Sequence, residues 1–358
     1  MGRPAERMTR IVESLRGEIV SGHFPPGSRL PARLDVERRY EASSVTVQRA
    51  LTQLAQEGFV RVDRTLGSYV TDAPPHLSHY TIVFPKSPHG VDPWNMWYAT
   101  LLSASKIVAE QRGITIEPAF DIDSHIDTPS YIHLVDTIQS SRVAGLIFSV
   151  PPMALEGTPI CEHPNLPRVV ATSHEVYHSV SRADSPLLTA MNVLKESGRN
   201  RVAMFASARQ DVSGFTRAAE ECGLESRPYW VQRVDLASPD TARDIVQLLM
   251  SPENTVHPDA IYIDDDNLID AVVAGLLGAG IRVPTDLEIV AHANLPVQTK
   301  SVVPIRRFGV DARKVIAGCI DCLERQRAGE TDRIKIKVPM VFEEDLVSDD
   351  VASRRGAL

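Results

Sequence analysis

Cysteine is scarce in this sequence, and long apolar runs are missing. Four cysteines in 358 residues cannot form the disulfide framework of a small secreted domain. The longest apolar run, AVVAGLLGAGI at residues 271–281, is too short to cross a bilayer. The N-terminus lacks the apolar segment of a secretory signal. We therefore expect a cytoplasmic protein without a membrane partner.

Lysine is absent from the first 72 residues, which carry 11 Arg against 9 Asp and Glu, a net charge of +2. The rest of the chain carries a net charge of −10, so the total is −8. This overall charge argues against a general nucleic-acid binder. A mildly basic head on an acidic body instead fits a small polyanion-binding module joined to a different domain.

The sequence also lacks a phosphate-cradling loop and a nucleophile elbow, and its two catalytic-looking motifs sit in the wrong places. HEVYH (His174, Glu175, His178) matches a zinc-hydrolase pattern, which we keep as a remote alternative. That chemistry needs both histidines on one helix, whereas this segment lies between a strand and extended chain. Cys319 and Cys322 have redox spacing but lie mid-helix, so we interpret them as buried. We predict no enzyme, no cofactor and no metal.

The first seventy residues predict three helices and a hairpin. TRIVESLRGEIVS is an amphipathic helix, GHFPPGSRLP a turn, ARLDVERRY a short second helix, and a third opens at Ser43. RVDRTLGSYV predicts two strands around a Thr-Leu-Gly tip. DAPPHLSH follows as a linker without an evident hinge helix. The predicted domains are a head at 1–72, a linker at 73–79, a body at 80–345 and a tail at 346–358.

The third helix has a face suited to DNA. Ser43 is the predicted N-cap. The predicted buried stripe is then Val47, Ala50, Leu51 and Leu54. The outward face and its borders carry Ser44, Val45, Thr46, Gln48 and Arg49. Hydroxyls and free N–H groups at a helix N-terminus suit phosphate, Gln can pair with adenine, and Val can touch a thymine methyl. The alternative from this stretch alone is a small solvated helix.

Residues 30–70, LPARLDVERRYEASSVTVQRALTQLAQEGFVRVDRTLGSYV, resemble the winged helix-turn-helix of the GntR family of bacterial regulators without a gap. The resemblance implies DNA contacts at Arg33, Ser43, Ser44, Val45, Thr46, Gln48, Arg49 and, at the wing tip, Arg64. The family usually has Arg where Leu34, Ser44 and Gln48 stand. We therefore expect a different operator and weaker binding per half-site.

From Tyr80 onward, short apolar runs alternate with helical patterns. The runs are YTIVFP, GITIEPAF, VAGLIFS, PRVVATS, RVAMFAS, DAIYI and LEIVAHA. Such alternation indicates βαβ units and open parallel sheets covered by helices on both faces. About 280 residues exceed what one such sheet needs, so we predict an α/β body of two lobes.

The body resembles the periplasmic-binding-protein-like core of the LacI/GalR repressors, above all in HPDAIYIDDDNLIDAVVAGLLGAGIRVPTDLEIVAHAN at residues 257–294. The resemblance implies a sugar-like effector between the lobes, touched by loops at the carboxyl ends of strands. Those loops carry the candidate ligand residues Trp94, Trp97, Ser149, Asp211, Phe215, Asp265 and Asn294. One of the two tryptophans can instead belong to the core, and Asp265 can instead cap a helix.

Two departures from the family affect the predicted cleft. Asp211 stands where the family has a ligand-gripping Arg, and Asn294 stands where it has a sugar-gripping Asp. Asp211 together with Asp265 would suit a cationic or hydroxyl-rich ligand. Alternatively, the body has lost its ligand and serves only as a dimerisation platform.

The sequence as a whole predicts a ligand-responsive DNA-binding transcription regulator that acts as a repressor. We expect a homodimer on a pseudo-palindromic operator in double-stranded DNA, with half-sites about one helical turn apart.

Overall fold

The computed structural model describes residues 4–63, 67–90, 94–296 and 300–346. They form a small head, a short connection and a two-lobed α/β body. No helix in these four ranges is long and apolar enough to cross a membrane.

The head is three helices followed by an antiparallel hairpin. Its elements are α1 (Pro4–Val20), α2 (Arg33–Tyr40), α3 (Ser44–Gln56), β1 (Val60–Asp63) and β2 (Gly67–Val70). Ile11, Leu15 and Ile19 of α1 are buried against the predicted α3 stripe. A backbone bridge from Arg29 to Tyr69 adds a third short strand to the hairpin. This is the predicted winged helix-turn-helix, with its tip, residues 64–66, outside the described residues.

The connection was predicted as a linker without an evident hinge helix, and the structure shows a short helix within it. Residues Pro75–Ser78 form a one-turn helix, α4, and His79 already belongs to the first strand of the body. The His76 ring stacks on Phe59 of the head at 5.9 Å between centroids. Pro75 lies close beneath Gly58. The connection is therefore packed against the head. Proline at the first position of a helical turn already has the helical φ angle, so the proline pair favours this bent conformation.

The first lobe is built on a parallel sheet. Its chain order is β3 (His79–Val83), α5 (Met96–Arg112), β4 (Thr115–Ala119), α6 (Pro129–Gln139), β5 (Gly145–Phe148), α7 (Pro159–Glu162), β6 (Arg168–Val170) and β7 (Ser179–Arg182). The sheet order is β13-β7-β6-β5-β3-β4, with β13 supplied by the end of the chain.

The second lobe repeats the design. It contains α8 (Pro186–Glu196), β8 (Val202–Ser207), α9 (Phe215–Glu221), β9 (Val231–Val234), α10 (Thr241–Leu249), β10 (Ala260–Ile263), α11 (Ile269–Gly278), β11 (Glu288–His292) and β12 (Arg306–Val310). The chain returns through α12 (Ala312–Arg327), β13 (Lys335–Val338) and β14 (Met340–Phe342). The sheet order is β14-β12-β11-β10-β8-β9, parallel except for β14.

Three short connections join the lobes: β7 to α8, β12 to α12, and β13 to β14. Helix α12 follows a strand of the second lobe but packs in the core of the first. The carboxyl ends of both sheets thus face each other, and ligands bind at such ends in parallel α/β proteins.

The predicted α/β body with two parallel-rich sheets is confirmed, and each of the seven predicted strand runs contains a strand. The sequence reading missed β7, β9, β12, β13 and β14 as strands. At the far end, the predicted tail starts one residue early, because Leu346 is buried against Leu295. The rest of the tail, 347–358, lies outside the described residues.

Candidate nucleic-acid interface and interlobe cavity

The N-terminus of α3 has the predicted cap. Ser43 Oγ accepts the Thr46 backbone N–H at 3.3 Å and lies 2.9 Å from the Thr46 hydroxyl. Val47, Ala50, Leu51 and Leu54 are buried, as predicted. The opposite face carries the exposed side chains of Ser43, Ser44, Val45, Gln48 and Arg49, with Thr46 half-buried. Val45 is 60% exposed although it is apolar, so its methyl groups are available to a partner.

Arg33 braces this face from the neighbouring helix. Its Nη2 donates to the Ser44 carbonyl at 2.7 Å and to Ser44 Oγ at 2.5 Å. The guanidinium therefore lies at the N-terminal end of α3, where the helix dipole and free N–H groups already favour an anion.

A groove of about 540 Å³ runs from this helix to the hairpin. Arg33, Gln48 and Ser68 line it together with Arg29, which the sequence reading did not single out. Arg29 reaches the groove because its strand bridges to Tyr69. Arg64, the predicted wing contact, lies outside the described residues.

A cavity of about 400 Å³ lies between the two lobes. From the first lobe and its connections it is lined by Trp97, Ala171, Thr172, Ser173, Ser181, Arg182, Asp184, Val315 and Lys337; from the second, by His292, Asn294 and Val310. The volume is typical of small-molecule sites. Of the seven candidate ligand residues, only Trp97 and Asn294 line it.

Two tryptophans were predicted near the ligand, and the structure separates their roles. Trp94 packs into an aromatic cluster with Phe84, Tyr98 and Phe120, with ring centroids 5.2–5.7 Å away. Trp97 lines the cavity, and its indole Nε1 donates to the Ser149 carbonyl at 3.0 Å. Trp94 therefore packs with the aromatic core of the first lobe, the alternative that the sequence left open for one of the two tryptophans.

Three further ligand predictions fail on burial or position. Phe215 is fully buried in the core of the second lobe, so its ring cannot meet a ligand. Ser149 is also fully buried and does not line the cavity. Asp211 is exposed outside the cavity, where the Ser213 backbone N–H, at 2.9 Å, holds the pKa of that carboxyl below its ordinary value.

Asp265 holds a neighbouring side chain instead of a ligand, so the capping alternative applies. Its Oδ1 accepts the Asn267 backbone N–H at 3.0 Å and the Asn267 amide at 2.7 Å. Asn267 Oδ1 in turn accepts the Met96 N–H across the cleft at 2.9 Å. Asp265 therefore orients a hydrogen bond that joins the two lobes.

Asn294 is held in place by a carboxylate that the sequence reading overlooked. Asp266 Oδ2 accepts the Asn294 backbone N–H at 2.8 Å, and Asp266 Oδ1 accepts its amide at 3.0 Å. Burial raises the pKa of Asp266 to about 6, although these bonds act against the rise. The fixed amide leaves Asn294 presenting one set orientation to the cavity.

Two residues that line the cavity also have a buried polar atom without a hydrogen-bond partner among the described residues: Thr172 Oγ1 and His292 Nε2. The other His292 nitrogen, Nδ1, lies 3.3 Å from the Asp264 carbonyl. Burial, with a contribution from Arg182, lowers the pKa of His292 to about 4, so the ring is neutral at pH 7.

The HEVYH segment does not form the helix that a zinc hydrolase needs. Residues 175–177 form bends, and His174 Nδ1 accepts the backbone N–H groups of Val176 and Tyr177 at 3.2 and 3.3 Å. His178 Nδ1 accepts the Ile334 N–H at 3.0 Å. Within the described ranges, no group of three or more His, Cys, Asp or Glu side chains could hold a metal.

Two protein-family models match the chain. Residues 7–70 match the gntR family of bacterial regulatory proteins, and residues 191–341 match the periplasmic binding protein-like domain. The first range contains the head, and the second covers most of the second lobe together with α12 and β13.

Curated relatives and solved structures agree with these matches. Catabolite control protein A of Priestia megaterium is 24% identical over 240 residues, 62% of this chain and 70% of that protein. The HTH-type transcriptional repressor PurR of Aliivibrio fischeri is 21% identical over 252 residues, 65% of this chain and 74% of that protein.

A LacI-family regulatory protein from Chloroflexus aggregans superposes with a TM-score of 0.58 at 17% identity, covering 73% of this chain and 96% of that one. This likeness shows the fold of the body. The chain is therefore a transcription regulator that joins a head matched by the gntR family of bacterial regulatory proteins to a body matched by the periplasmic binding protein-like domain.

Proposed function

We propose that this cytoplasmic regulator binds a two-fold operator as a dimer and represses, and that a small molecule in the interlobe cavity changes its affinity for DNA. The exposed face of α3, from Ser43 to Arg49, would enter the major groove, with Arg33 and Arg29 beside it on phosphates.

One observation supports an effector above all others. The cavity is lined from both lobes, by Trp97, Arg182 and Lys337 among others on one side and by His292, Asn294 and Val310 on the other. A molecule that bound to both sides would favour one interlobe angle over others, which is the requirement for coupling.

Helix α12 supplies a route from the cavity to the head. Val315 near its start lines the cavity, and Arg327 at its end reaches the connection about 18 Å away at 1.5 Å per residue. Arg327 donates to the Leu77 carbonyl at 3.1 Å, to the His76 carbonyl at 3.3 Å and to the Tyr80 hydroxyl at 2.9 Å. Movement of α12 would therefore move α4 and the head stacked on it.

The test combines thermal unfolding with operator binding. The full-length protein is screened for stabilisation by sugars, sugar acids, polyols and amines. A ligand at 100 times its Kd stabilises the body by about 2.7 kcal/mol. Operator affinity is then measured by fluorescence anisotropy with and without each stabilising compound. We expect at least one compound both to stabilise the protein against thermal unfolding and to change its affinity for the operator.

Arg327→Ala tests the route, with Arg325→Ala as the matched control. Arg325 lies at the same end of α12 but pairs with Glu330. We expect Arg327→Ala to keep the ligand-induced thermal shift while the ligand effect on operator affinity falls several-fold. An undiminished effect would rule out this route.

The ligand-free dimerisation platform remains the second candidate, and the position of Asp211 favours it. Asp211 stands where the resembled family has a ligand-binding Arg, and it lies outside the cavity. Intact operator binding with no thermal shift for any compound would establish this alternative.

A further inference from the structure

The charged lining of the interlobe cavity is unlike the one predicted from the sequence. The two acids expected to face a cationic ligand, Asp211 and Asp265, lie outside it. Its charged side chains are instead Arg182, Lys337 and Asp184. Two cations against one carboxylate leave the lining with a formal charge of +1.

Arg182 and Lys337 come from the two adjacent strands that lead out of the first lobe. Strands β7 and β13 run parallel, with Ser181 opposite Lys337 and Arg182 opposite Val338. Lys337 Nζ donates to Ser181 Oγ at 3.1 Å, which holds the ammonium at the cavity wall. Asp184 Oδ2 accepts the Met340 N–H at 3.3 Å.

The side chain of Arg182 has no hydrogen bond or ion pair with the residues that the structure describes, although it lies close enough to influence His292 and Asp264 electrostatically. Arg307 and Arg313, by contrast, are paired with Glu343 and Asp311. An unpaired guanidinium and an ammonium in the lining of one cavity favour the binding of an oxyanion.

The uncharged lining indicates what else the ligand carries. Trp97 offers an aromatic edge or face suited to the C–H groups of a sugar ring. The Asp184 carboxylate and the Asn294 amide also line the cavity and can exchange hydrogen bonds with hydroxyl groups.

From this geometry, we propose that the cavity takes a small polyhydroxylated anion whose carboxylate or phosphate lies on Arg182 and Lys337. The proposal deepens the function above and rests on it. Since both cations stand on the strands that lead to the second lobe, the anion would bridge the hinge itself. Ligand charge would then help to set the interlobe angle.

The experiment compares ligands that share one carbon skeleton. D-glucose, D-glucuronate and D-glucose 6-phosphate are titrated into the full-length protein by calorimetry and thermal unfolding, alongside the matching D-galactose compounds. We expect an acid or phosphate of either set to bind at least tenfold more tightly than its neutral parent. Its affinity should fall as sodium chloride rises. Comparing the affinities of the sugar acids with those of the sugar phosphates shows which oxyanion is preferred.

Two variants locate the anion, and a third is the control. Arg182→Gln and Lys337→Gln should each weaken the charged ligand at least tenfold and leave any neutral sugar binding within about threefold. Lys335→Gln removes the same charge from the same strand, outside the cavity lining, and should change neither.

The outcomes separate this inference from the proposed function. Binding of neutral sugars as tight as that of their acids overturns the anion site and leaves the effector proposal standing. Anion binding that is indifferent to Arg182→Gln and Lys337→Gln overturns the site as well. Failure of every compound, charged and neutral, to bind counts against both proposals.

Discussion

The two candidate sites of this protein are built in opposite ways. The proposed DNA-facing surface of the head comes from six residues within 43–49, all but the buried Val47, at the N-terminus of one helix. The interlobe cavity draws its lining from segments as far apart as Trp97 and Lys337. Helical periodicity in the sequence predicts a surface on one helix. The lining of a cavity depends instead on which strands the fold makes adjacent.

The two sites also differ in what a substitution disturbs. Side chains on the α3 face project into solvent, so they can be changed without disturbing the core. Residues around the cavity are tied to the crossing strands and to each other, as Asn294 is to Asp266. The four predictions below, ordered by expected effect, test whether this difference holds.

The largest effect is expected from adding a methyl group beside the cavity hinge. A Cβ on Gly309 of β12 would lie 1.8 Å from the Ala293 carbonyl oxygen. Gly309→Ala should therefore cost about 3 kcal/mol of unfolding free energy in urea denaturation, the upper end of overpacking.

Gly17→Ala in the head is the matched substitution. Its Cβ would meet nothing within 4 Å, and the residue lies inside α1. It should be neutral or stabilise by up to about 1 kcal/mol. If Gly309→Ala and Gly17→Ala lowered the unfolding free energy equally, the proposed difference in packing between the cavity region and the head would be wrong.

The next effect concerns DNA. Ser44→Glu places a carboxylate on the exposed N-terminal face of α3, where the helix dipole tolerates it but phosphate repels it. We expect operator affinity to fall about 100-fold, or 2.7 kcal/mol, in anisotropy titrations, with the melting temperature nearly unchanged.

Gln56→Glu is the control for Ser44→Glu, because it adds the same charge at the other end of the same helix. Operator affinity should then change less than about threefold. A comparable loss in both variants would mean that net charge, and not the N-terminal face, governs binding.

A pH experiment tests the buried histidine of the cavity. The pKa of His292 is lowered from 6.5 to about 4, so protonation favours the unfolded chain, and its stabilisation is lost as pH falls from 6.5 towards 4. His292→Gln should remove about 2 kcal/mol of the stability difference between pH 7.5 and pH 5.

Asp266 acts in the opposite direction, because its pKa is raised to about 6 and its protonation favours the folded state. Asp266 is present in both proteins, as is His76, so the difference between their urea midpoints at the two pH values isolates His292. If the urea midpoints of the unmodified protein and of His292→Gln depended identically on pH, the His292 ring would be exposed to water in the folded state.

The smallest expected effect comes from the helix cap. Ser43→Ala removes the acceptor for the Thr46 N–H and should cost about 1 kcal/mol of unfolding free energy. Ser43→Asp keeps a cap and should restore most of this stability while weakening operator binding. Loss of stability in both variants would show that the hydroxyl itself is required.

The head was predictable from sequence almost to the residue, including the Ser43 cap and the Val47–Leu54 stripe. Local signals suffice there, because capping and helical periodicity act over a few residues. In the body the same signals located seven strands, yet missed β7 and β13, which are the strands that bring Arg182 and Lys337 to the cavity.

The errors at the cavity have a common physical cause. Asp265 follows the end of β10 and Phe215 opens α9, but the side chain of Asp265 turns back to hold Asn267 and that of Phe215 enters the core. The sequence by itself determined the two domains, their fold classes and the face of α3, since these follow from patterns along the chain. Only the tertiary structure decided which charges line the cavity, because that depends on pairing between strands about 150 residues apart.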